Sequence, residues 1–387
     1  MPSDPSLRVC VVGAGIGGLA TAVALQRAGL EAHVYEAAEA GADVGKGIWV
    51  PPNAMRVLDR LGLADAVSSR GVALERLAVL TSGGRELQSV DGAEVRDRYG
   101  YATVSVLRAD LHRALERALA PGTLHWGRRC TGVRADGPRP VVTFGQDAVE
   151  ADLVVGADGV RSVVREAVAP GARLRYAGQT CTLGVVRLGL PVPLARSARE
   201  LWGGASRFGF SPVRPDAVYW FAPVSGPPVG GTRPVDRAHL DGLRRRYAGF
   251  ADPVPALLEH SDPADAVQVD LQDLAPLPRW HRGRVVLVGD AAHAMTPNLG
   301  QGGAQSIEDA HALARALAAH PDPAVALARY EAARRPRATR VARTARWLGR
   351  AAHLRPRWAR ALRDGVLRAT PERASRRQLD DLYAGAT

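Results

Sequence analysis

The chain has few residues that could form covalent or metal cross-links. Its 387 residues include only three cysteines, Cys10, Cys130 and Cys181, at unrelated spacings. This pattern predicts neither a disulfide framework nor a metal site. No apolar run reaches the roughly 18 residues that a membrane-spanning helix needs, so no integral membrane segment is expected. The first residues, Met1–Ser6, lack the basic and apolar regions of a signal peptide. A cytoplasmic protein is therefore expected.

Lysine is almost absent, and arginine carries the positive charge. Lys46 is the only lysine, yet the formal net charge is +12. Residues 327–377 hold 16 arginines against three acidic residues (+13), the last ten residues add −2, and residues 1–326 are left with +1. We expect an arginine-rich tail of helices that face water. The alternative is docking on an acidic partner or a membrane surface, whereas nucleic-acid binding is not expected without a recognition motif.

A glycine motif opens the chain. Gly13, Gly15 and Gly18 form G-x-G-x-x-G after an apolar β-branched run and before a helical pattern over residues 19–28. A second predicted strand then ends at Glu36. In such a unit the glycines allow a tight turn, a close approach to a pyrophosphate and close helix–strand packing, and the acidic residue binds ribose hydroxyls. The segment therefore predicts a dinucleotide site.

Two later segments repeat the pattern of an apolar strand that ends at a carboxylate. Residues 151–156 lead to Asp158, with Ser162 placed to cap a short helix. Residues 285–288 lead to Asp290, and a proline-bearing loop follows before the glycines of residues 300–303. A bare helix start of this kind presents backbone N–H groups to an anion or a polarised ring.

Together the three segments resemble the single-component FAD-dependent aromatic hydroxylases, the para-hydroxybenzoate hydroxylase-like flavoprotein monooxygenases. The resemblance extends from about residue 7 to residue 318. Within that family, the loop at residues 295–303 is most similar to the urate hydroxylase, salicylate hydroxylase and zeaxanthin epoxidase branches. The matching family positions are Gly13, Gly15, Gly18, Glu36, Asp158 with Arg165, Asp290, Pro297, Gly300 and Gly302.

The resemblance implies FAD as cofactor, NADH or NADPH as co-substrate, and O2. It implies hydroxylation or epoxidation of a small aromatic or polyketide-like compound through a flavin C4a-hydroperoxide. It places Gly47 near the flavin ring, Arg108 near the pyrophosphate and Asp290 at the ribityl chain. The turn with Gly300, Gly302 and Gly303 would stabilise charge on the ring. The alternative is a flavin oxidase or reductase, or a flavoprotein that binds a small molecule without oxygenating it.

The expected fold class is α/β: a Rossmann-like FAD-binding domain, an interleaved antiparallel-sheet substrate domain and C-terminal helices. The FAD-binding domain is expected over residues 1–172 and 279–350, with minor substrate-domain segments near 71–105. Residues 173–278 alternate in polarity and are punctuated by proline and glycine, which predicts the substrate domain. Residues 351–387 form the arginine-rich tail.

Catalytic residues are less clearly marked. Arg187, Arg207, Tyr219 and Trp220 are the candidates in the substrate domain, and strand alternation puts Tyr219 and Trp220 on opposite faces. His293 is expected to be structural. The expected partner is a small aromatic or polycyclic substrate, bound by a monomer or a homodimer.

Overall fold

The centre of the molecule is a mostly parallel six-stranded sheet. The computed structural model describes residues 7–40 and 46–385. The first two strands in spatial order are antiparallel, and all later neighbours are parallel. Short apolar β-branched runs form the three central strands, as expected where helices cover both faces of a sheet. The spatial order is His281–Arg282, Val285–Leu287, Leu153–Gly156, Arg8–Val12, Glu31–Tyr35 and Leu124–His125.

The three predicted motifs emerge side by side from this sheet. Val12, Gly156 and Leu287 lie in register on three adjacent parallel strands. Each strand therefore ends at the same edge, the carboxyl edge where doubly wound sheets bind their ligands. Segments that are about 130 residues apart in sequence thus converge on one site.

An eight-stranded sheet forms the second layer. All its neighbouring strands are antiparallel except Ser197–Trp202 and Arg76–Thr81, which are parallel. The last two strands come from the stretch near 71–105, well before the others in sequence. The spatial order is Thr232–Pro234, Ala266–Leu274, Leu174–Arg187, Ala217–Ser225, Arg207–Arg214, Ser197–Trp202, Arg76–Thr81 and Glu86–Asp91.

Two three-stranded sheets complete the β-structure. One links the two layers and consists of Gly47–Val50, Val104–Leu107 and Val72–Ala73. The other consists of Asp147–Glu150, Val141–Phe144 and Gly132–Arg134. The predicted fold class, α/β with an interleaved antiparallel sheet and C-terminal helices, is confirmed.

The helices follow the predicted order. The amphipathic pattern of residues 109–120 predicts a helix to residue 120. The α-helix instead ends at Glu116, and i→i+3 turns continue to Leu119, ahead of Pro121 and Gly122. No helix within the described ranges is long and apolar enough to cross a membrane. The helices are Ile16–Arg27, Pro52–Arg60, Ala64–Ser68, Gly92–Tyr99, Arg108–Glu116, Val164–Val168, Arg237–Tyr247, Val254–Glu259, Asp290–His293, Gly302–Ala319, Pro323–Ala352, Arg357–Ala369 and Glu372–Tyr383, with 3-10 turns at Val192–Leu194, Pro263–Asp265 and Pro297–Leu299.

Candidate active site

The glycines of the first motif have different physical reasons. Gly13 has a φ of +103°, and a Cβ there would lie 2.5 Å from the carbonyl oxygen of Ala157. A Cβ on Gly18 would lie 1.9 Å from the carbonyl oxygen of Gly13. Protein packing therefore requires both residues. Within the described part of the chain, a Cβ on Gly15 would meet nothing within 4 Å, so the space beside Gly15 is open to a ligand.

Glu36 stands beside this open loop at the end of the second strand. One carboxylate oxygen accepts a hydrogen bond from the backbone N–H of Ala14 at 2.6 Å. The other accepts from the N–H of Ala38 at 2.8 Å. Each oxygen keeps a further lone pair, and the side chain is only half-buried. Glu36 is thus fixed in place and can still accept ribose hydroxyls.

Asp158 and Arg165 hold the second and third motifs together. The Asp158 carboxylate accepts hydrogen bonds from the Ser162 hydroxyl at 2.5 Å and from the N–H of Val163 at 2.6 Å. It therefore caps the helix that follows. Arg165 is buried and donates to the carbonyl oxygen of Ala291 at 3.2 Å. Burial lowers the pKa of Arg165, and nearby carboxylates oppose the shift.

Two charged side chains at the carboxyl edge have no hydrogen-bond or ion-pair partner among the described residues. Asp290 is exposed, and among the described residues its carboxylate makes no hydrogen bond or ion pair. The same holds for the exposed guanidinium of Arg108, whose backbone N–H donates to the carbonyl of Lys46 at 2.9 Å. The helices that begin at Ile16 and at Gly302 have no side-chain cap, so their first N–H groups are free for a ligand. These features fit a long cofactor with hydroxyls and phosphates.

A buried ionic network lies behind the Gly-Asp motif. Asp309 accepts from His293 at 2.5 Å, from the N–H of Gly289 at 2.9 Å and from Arg334 at 2.8 Å. Arg334 also pairs with Glu308. Burial alone would raise the pKa of Asp309, but His293 and Arg334 together lower it. His293 therefore anchors the motif from within the core, in agreement with the predicted structural role.

The strand that begins at Gly47 joins the two layers. A Cβ on Gly47 would lie 2.3 Å from Cγ of Tyr219, so the backbone passes directly over that ring. Trp49 donates from its indole N–H to the Ser211 hydroxyl at 2.8 Å. A Cβ on Gly300 would lie 3.4 Å from the Trp49 ring. Trp49, which the sequence reasoning missed, therefore connects the Gly300 turn to the eight-stranded sheet.

The eight-stranded sheet has two different faces, as strand alternation predicts. Directly paired residues share a face, so the face with Tyr219 and Ser211 is the inner face, towards Gly47 and Trp49. Trp220 lies on the outer face, stacks on Phe208 and is fully buried. Helices Arg237–Tyr247 and Val254–Glu259 contribute to the same outer core. The half-buried apolar residues of the inner face are Leu183, Val185, Phe221, Val267 and Val269.

Tyr219 is the polar residue of the inner face that contacts the strand at Gly47. Its hydroxyl has no hydrogen-bond partner within the described ranges, and burial raises the pKa of Tyr219 well above its ordinary value. The group is therefore a neutral phenol that can donate to a bound oxygen. Arg187 shares this face at the end of its strand but is exposed.

Arg207 closes one end of the inner face. It is buried and donates to Glu200 at 2.6 Å, to the Asn298 side chain at 2.5 Å and to His353 at 2.9 Å. Burial and the neighbouring Arg207 lower the pKa of His353 to about 3. The neutral ring is consistent with a nitrogen that accepts from arginine. Asn298 also donates to the carbonyl of Ala345 at 2.8 Å, so this end is sealed by the long helix.

Other concave and titratable features lie outside this region. A groove of about 750 Å³ runs along residues 168–173 and 275–282 and includes none of the predicted site residues. Cys10, Cys130 and Cys181 are buried free thiols. Within residues 7–40 and 46–385, no cluster of His, Cys, Asp and Glu could hold a metal ion. The candidate active site is therefore the space between the carboxyl edge and the inner face.

Comparison with known proteins agrees with this geometry. A family model described as "FAD binding domain" matches residues 6–345. The chain belongs to this FAD-binding family. Aurachin C monooxygenase/isomerase of Stigmatella aurantiaca is 37% identical over 334 residues, 86% of each chain. The 2-heptyl-3-hydroxy-4(1H)-quinolone synthase of Pseudomonas aeruginosa is 34% identical and covers 98% of both chains. The structure of Klebsiella pneumoniae HpxO with FAD and uric acid has a TM-score of 0.89 at 31% identity, covering 98% of this chain and 97% of that one.

FAD as cofactor and the enzyme class are thus confirmed: the chain is an FAD-dependent monooxygenase. The glycine motif and the two Asp motifs carried that prediction. Trp49 and Asn298 were missed as parts of the site. Trp49 lies two residues after the predicted site residue Gly47, and Asn298 directly follows the predicted site residue Pro297.

Proposed function

We propose that this monooxygenase uses NADH or NADPH and O2 to hydroxylate or epoxidise a flat, largely apolar aromatic compound such as a 4-quinolone. The observation that carries the proposal is the half-buried apolar inner face with Leu183, Phe221 and Val269. The Trp49 ring, which lies beside Gly300, also contacts Phe221 of this face. Such apolar surface is left incompletely covered where a ligand packs against it. A relative named for a heptyl-hydroxyquinolone supports the substrate class.

The reaction balances with one oxygen atom placed in the substrate. NAD(P)H supplies two electrons, one atom of O2 enters the product, and the other leaves as water with two protons. Bound FAD would supply the electron transfer and the oxygen activation. The chain itself binds and orients both partners and keeps water away from the reacting atoms.

Cofactor binding is proposed to use the unpartnered groups of the carboxyl edge. The open backbone at Gly15 faces the pyrophosphate, with Arg108 as its countercharge. Glu36 accepts the ribose hydroxyls, and Asp290 accepts those of the ribityl chain. Asp158 acts through the helix that it caps, because its carboxylate already has protein donors. Gly47, Pro297, Gly300, Gly302 and Gly303 shape the ring end.

Substrate binding is proposed to depend on the Tyr219 hydroxyl, which donates a hydrogen bond to a carbonyl or phenol oxygen. Arg207 holds Asn298 at the closed end of the pocket, so its proposed role is structural and not direct contact with substrate. Trp220 supports the sheet from its outer core. Arg187 is a candidate only for the open rim of the same face.

A substrate panel under ¹⁸O2 tests the proposed function. Alkyl-4-quinolones should speed NAD(P)H oxidation at least tenfold, and one ¹⁸O atom should appear in the product by mass spectrometry. Urate and salicylate should give little stimulation. If the flavin is reduced but no compound of the panel gains ¹⁸O, the oxidase or reductase alternative is favoured and oxygenation is rejected. Tyr219→Phe should raise KM for the quinolone and leave the FAD content nearly unchanged.

A second experiment tests the cofactor role of Asp290. Asp290→Ala should weaken FAD binding about tenfold or more, since a hydrogen bond to a charged group contributes roughly 1.5–3 kcal/mol. Asp216→Ala is the matched control, because Asp216 is an exposed carboxylate in the turn between two strands and has no assigned role in the site. Equal FAD occupancy in the two variants after dialysis would reject the assigned role.

A further inference from the structure

The helix Arg357–Ala369 has its amphipathic pattern turned outwards. Trp358, Leu362 and Val366 lie on one face and are 73%, 63% and 59% exposed. The side that packs on the protein carries Arg363, which is only 8% exposed. Arg363 stacks over the Trp202 ring at 5.0 Å and donates to the carbonyl of Ala352 at 3.0 Å. The helix thus buries an arginine and presents its large apolar residues to the outside.

The neighbouring helix shows the usual arrangement. Leu379, Leu382 and Tyr383 of the last helix pack against Val95 and Tyr99, and its arginines are exposed. The outward stripe, defined as Trp358, Leu362 and Val366, is therefore not a general feature of the arginine-rich tail. Contiguous exposed apolar residues of this size mark an interaction surface.

The charge around the outward stripe indicates its partner. Residues 340–370 contain nine arginines and one acidic residue, Asp364, which pairs with Arg363. Arg350, Arg355, Arg357 and Arg368 are exposed, and within the described ranges none has an ion-pair partner. Apolar residues with tryptophan on one face and arginines beside them are the pattern of helices that lie in a membrane interface. A second copy of this chain would bring the same positive charge to the contact.

We propose that the outward stripe docks the enzyme on an anionic phospholipid surface. The helix lies in the plane of the interface, with Trp358 and Leu362 among the lipid chains. The exposed arginines contact the headgroup phosphates. The contact is peripheral, since a helix of 13 residues cannot span a bilayer. This inference does not depend on the proposed substrate.

Vesicle flotation of the FAD-loaded full chain tests the proposal. The protein should float with vesicles of phosphatidylcholine and phosphatidylglycerol but not with phosphatidylcholine alone, and binding should weaken as salt rises. Trp358→Ser/Leu362→Ser should lower the partition coefficient at least tenfold. Arg355→Gln/Arg357→Gln should lower it roughly fivefold for each arginine removed. These residues contact none of the proposed site, so FAD content and NAD(P)H oxidation without vesicles should stay unchanged.

Matched controls separate the stripe from general effects. Val192→Ser removes an even more exposed apolar residue elsewhere, and Arg245→Gln/Arg246→Gln removes two exposed arginines from another helix. Both controls should bind vesicles like the unaltered chain. Absence of binding to anionic vesicles, or binding that Trp358→Ser/Leu362→Ser leaves intact, would overturn the proposal. A dimer in solution that this variant converts to a monomer would also overturn it, because a second copy would then cover the stripe.

Discussion

Gly15→Ala should separate cofactor binding from protein packing in the first glycine motif. The backbone of Gly15, with φ −66° and ψ 175°, is one that alanine adopts without strain. The added Cβ would meet no protein atom within 4 Å. If Gly15 is glycine because the pyrophosphate approaches its backbone, the methyl group will obstruct the cofactor and leave the protein intact.

The magnitude follows from the contacts at risk. Losing one hydrogen bond from a backbone N–H to a charged phosphate costs about 1.5–3 kcal/mol, which weakens FAD binding by roughly ten- to 150-fold. Stability of the apo-protein should change by less than about 1 kcal/mol. Alanine is a poorer N-cap than glycine, which lowers stability, but it also restricts the unfolded chain, which raises stability. The two effects oppose each other. FAD titration followed by flavin fluorescence, and urea unfolding of the apo-protein, measure the two quantities.

Gly18→Ala is the matched comparison within the same motif. Its Cβ would lie 1.9 Å from the carbonyl oxygen of Gly13, a backbone atom that cannot move aside cheaply. This variant should lose about 3 kcal/mol or more of apo-protein stability, at the upper end of the cost of overpacking. Gly15→Ala with unchanged FAD affinity, or with the same instability as Gly18→Ala, would refute the separation of roles.

Three other substitutions probe the framework of the site. Arg334→Met should lower the free energy of unfolding by about 3–5 kcal/mol, because the buried carboxylates of Asp309 and Glu308 lose the arginine that they share; a urea midpoint close to that of the unaltered chain would contradict this. Gly47→Ala should cost about 1–3 kcal/mol by displacing the Tyr219 ring, and adding Tyr219→Ala should remove most of that cost in a double-mutant cycle. The folded pKa of His353 lies near 3, below the unfolded value of about 6.5, so the fold prefers the neutral ring. The stability that this ring contributes is therefore complete above about pH 6.5 and is lost as the pH falls from there towards 3. His353→Gln should therefore reduce the slope of unfolding free energy against pH between pH 4 and 6.5 by up to about 1.4 kcal/mol per pH unit. Equal slopes in the variant and the unaltered chain would contradict the buried neutral ring.

The sequence predicted the local elements well where the pattern was long or punctuated. The sequence predicts helices from residue 323 to about 350, near 236–248 and near 254–260. The corresponding helices of the structure are Pro323–Ala352, Arg237–Tyr247 and Val254–Glu259. Strands such as Gly47–Val50 and Arg76–Thr81 were not predicted individually. Gly47–Val50 pairs with Val104–Leu107, and one side of Arg76–Thr81 pairs with Ser197–Trp202. Pairing between such distant segments carries no local signal.

The cofactor end of the site was predictable because each of its motifs is local. A strand, a glycine or carboxylate and a helix start lie within about 20 residues of one another, and the parallel sheet then aligns the three motifs at one edge. The substrate end was not predictable in the same way. Arg207 was a candidate for contact with substrate, yet its partners Glu200, Asn298 and His353 come from three separate segments.

Strand alternation shows where sequence reasoning about the substrate pocket stops. It correctly put Tyr219 and Trp220 on opposite faces, but both are aromatic and either face could have been the inner one. The choice depends on Gly47 and Trp49, which are about 170 residues away and reach Tyr219 and Ser211 only after the two layers have packed. Because the pocket is formed by that packing, its apolar character can be stated only after the inner face is known. The substrate class therefore depends on tertiary structure, whereas the cofactor could be inferred from three local patterns.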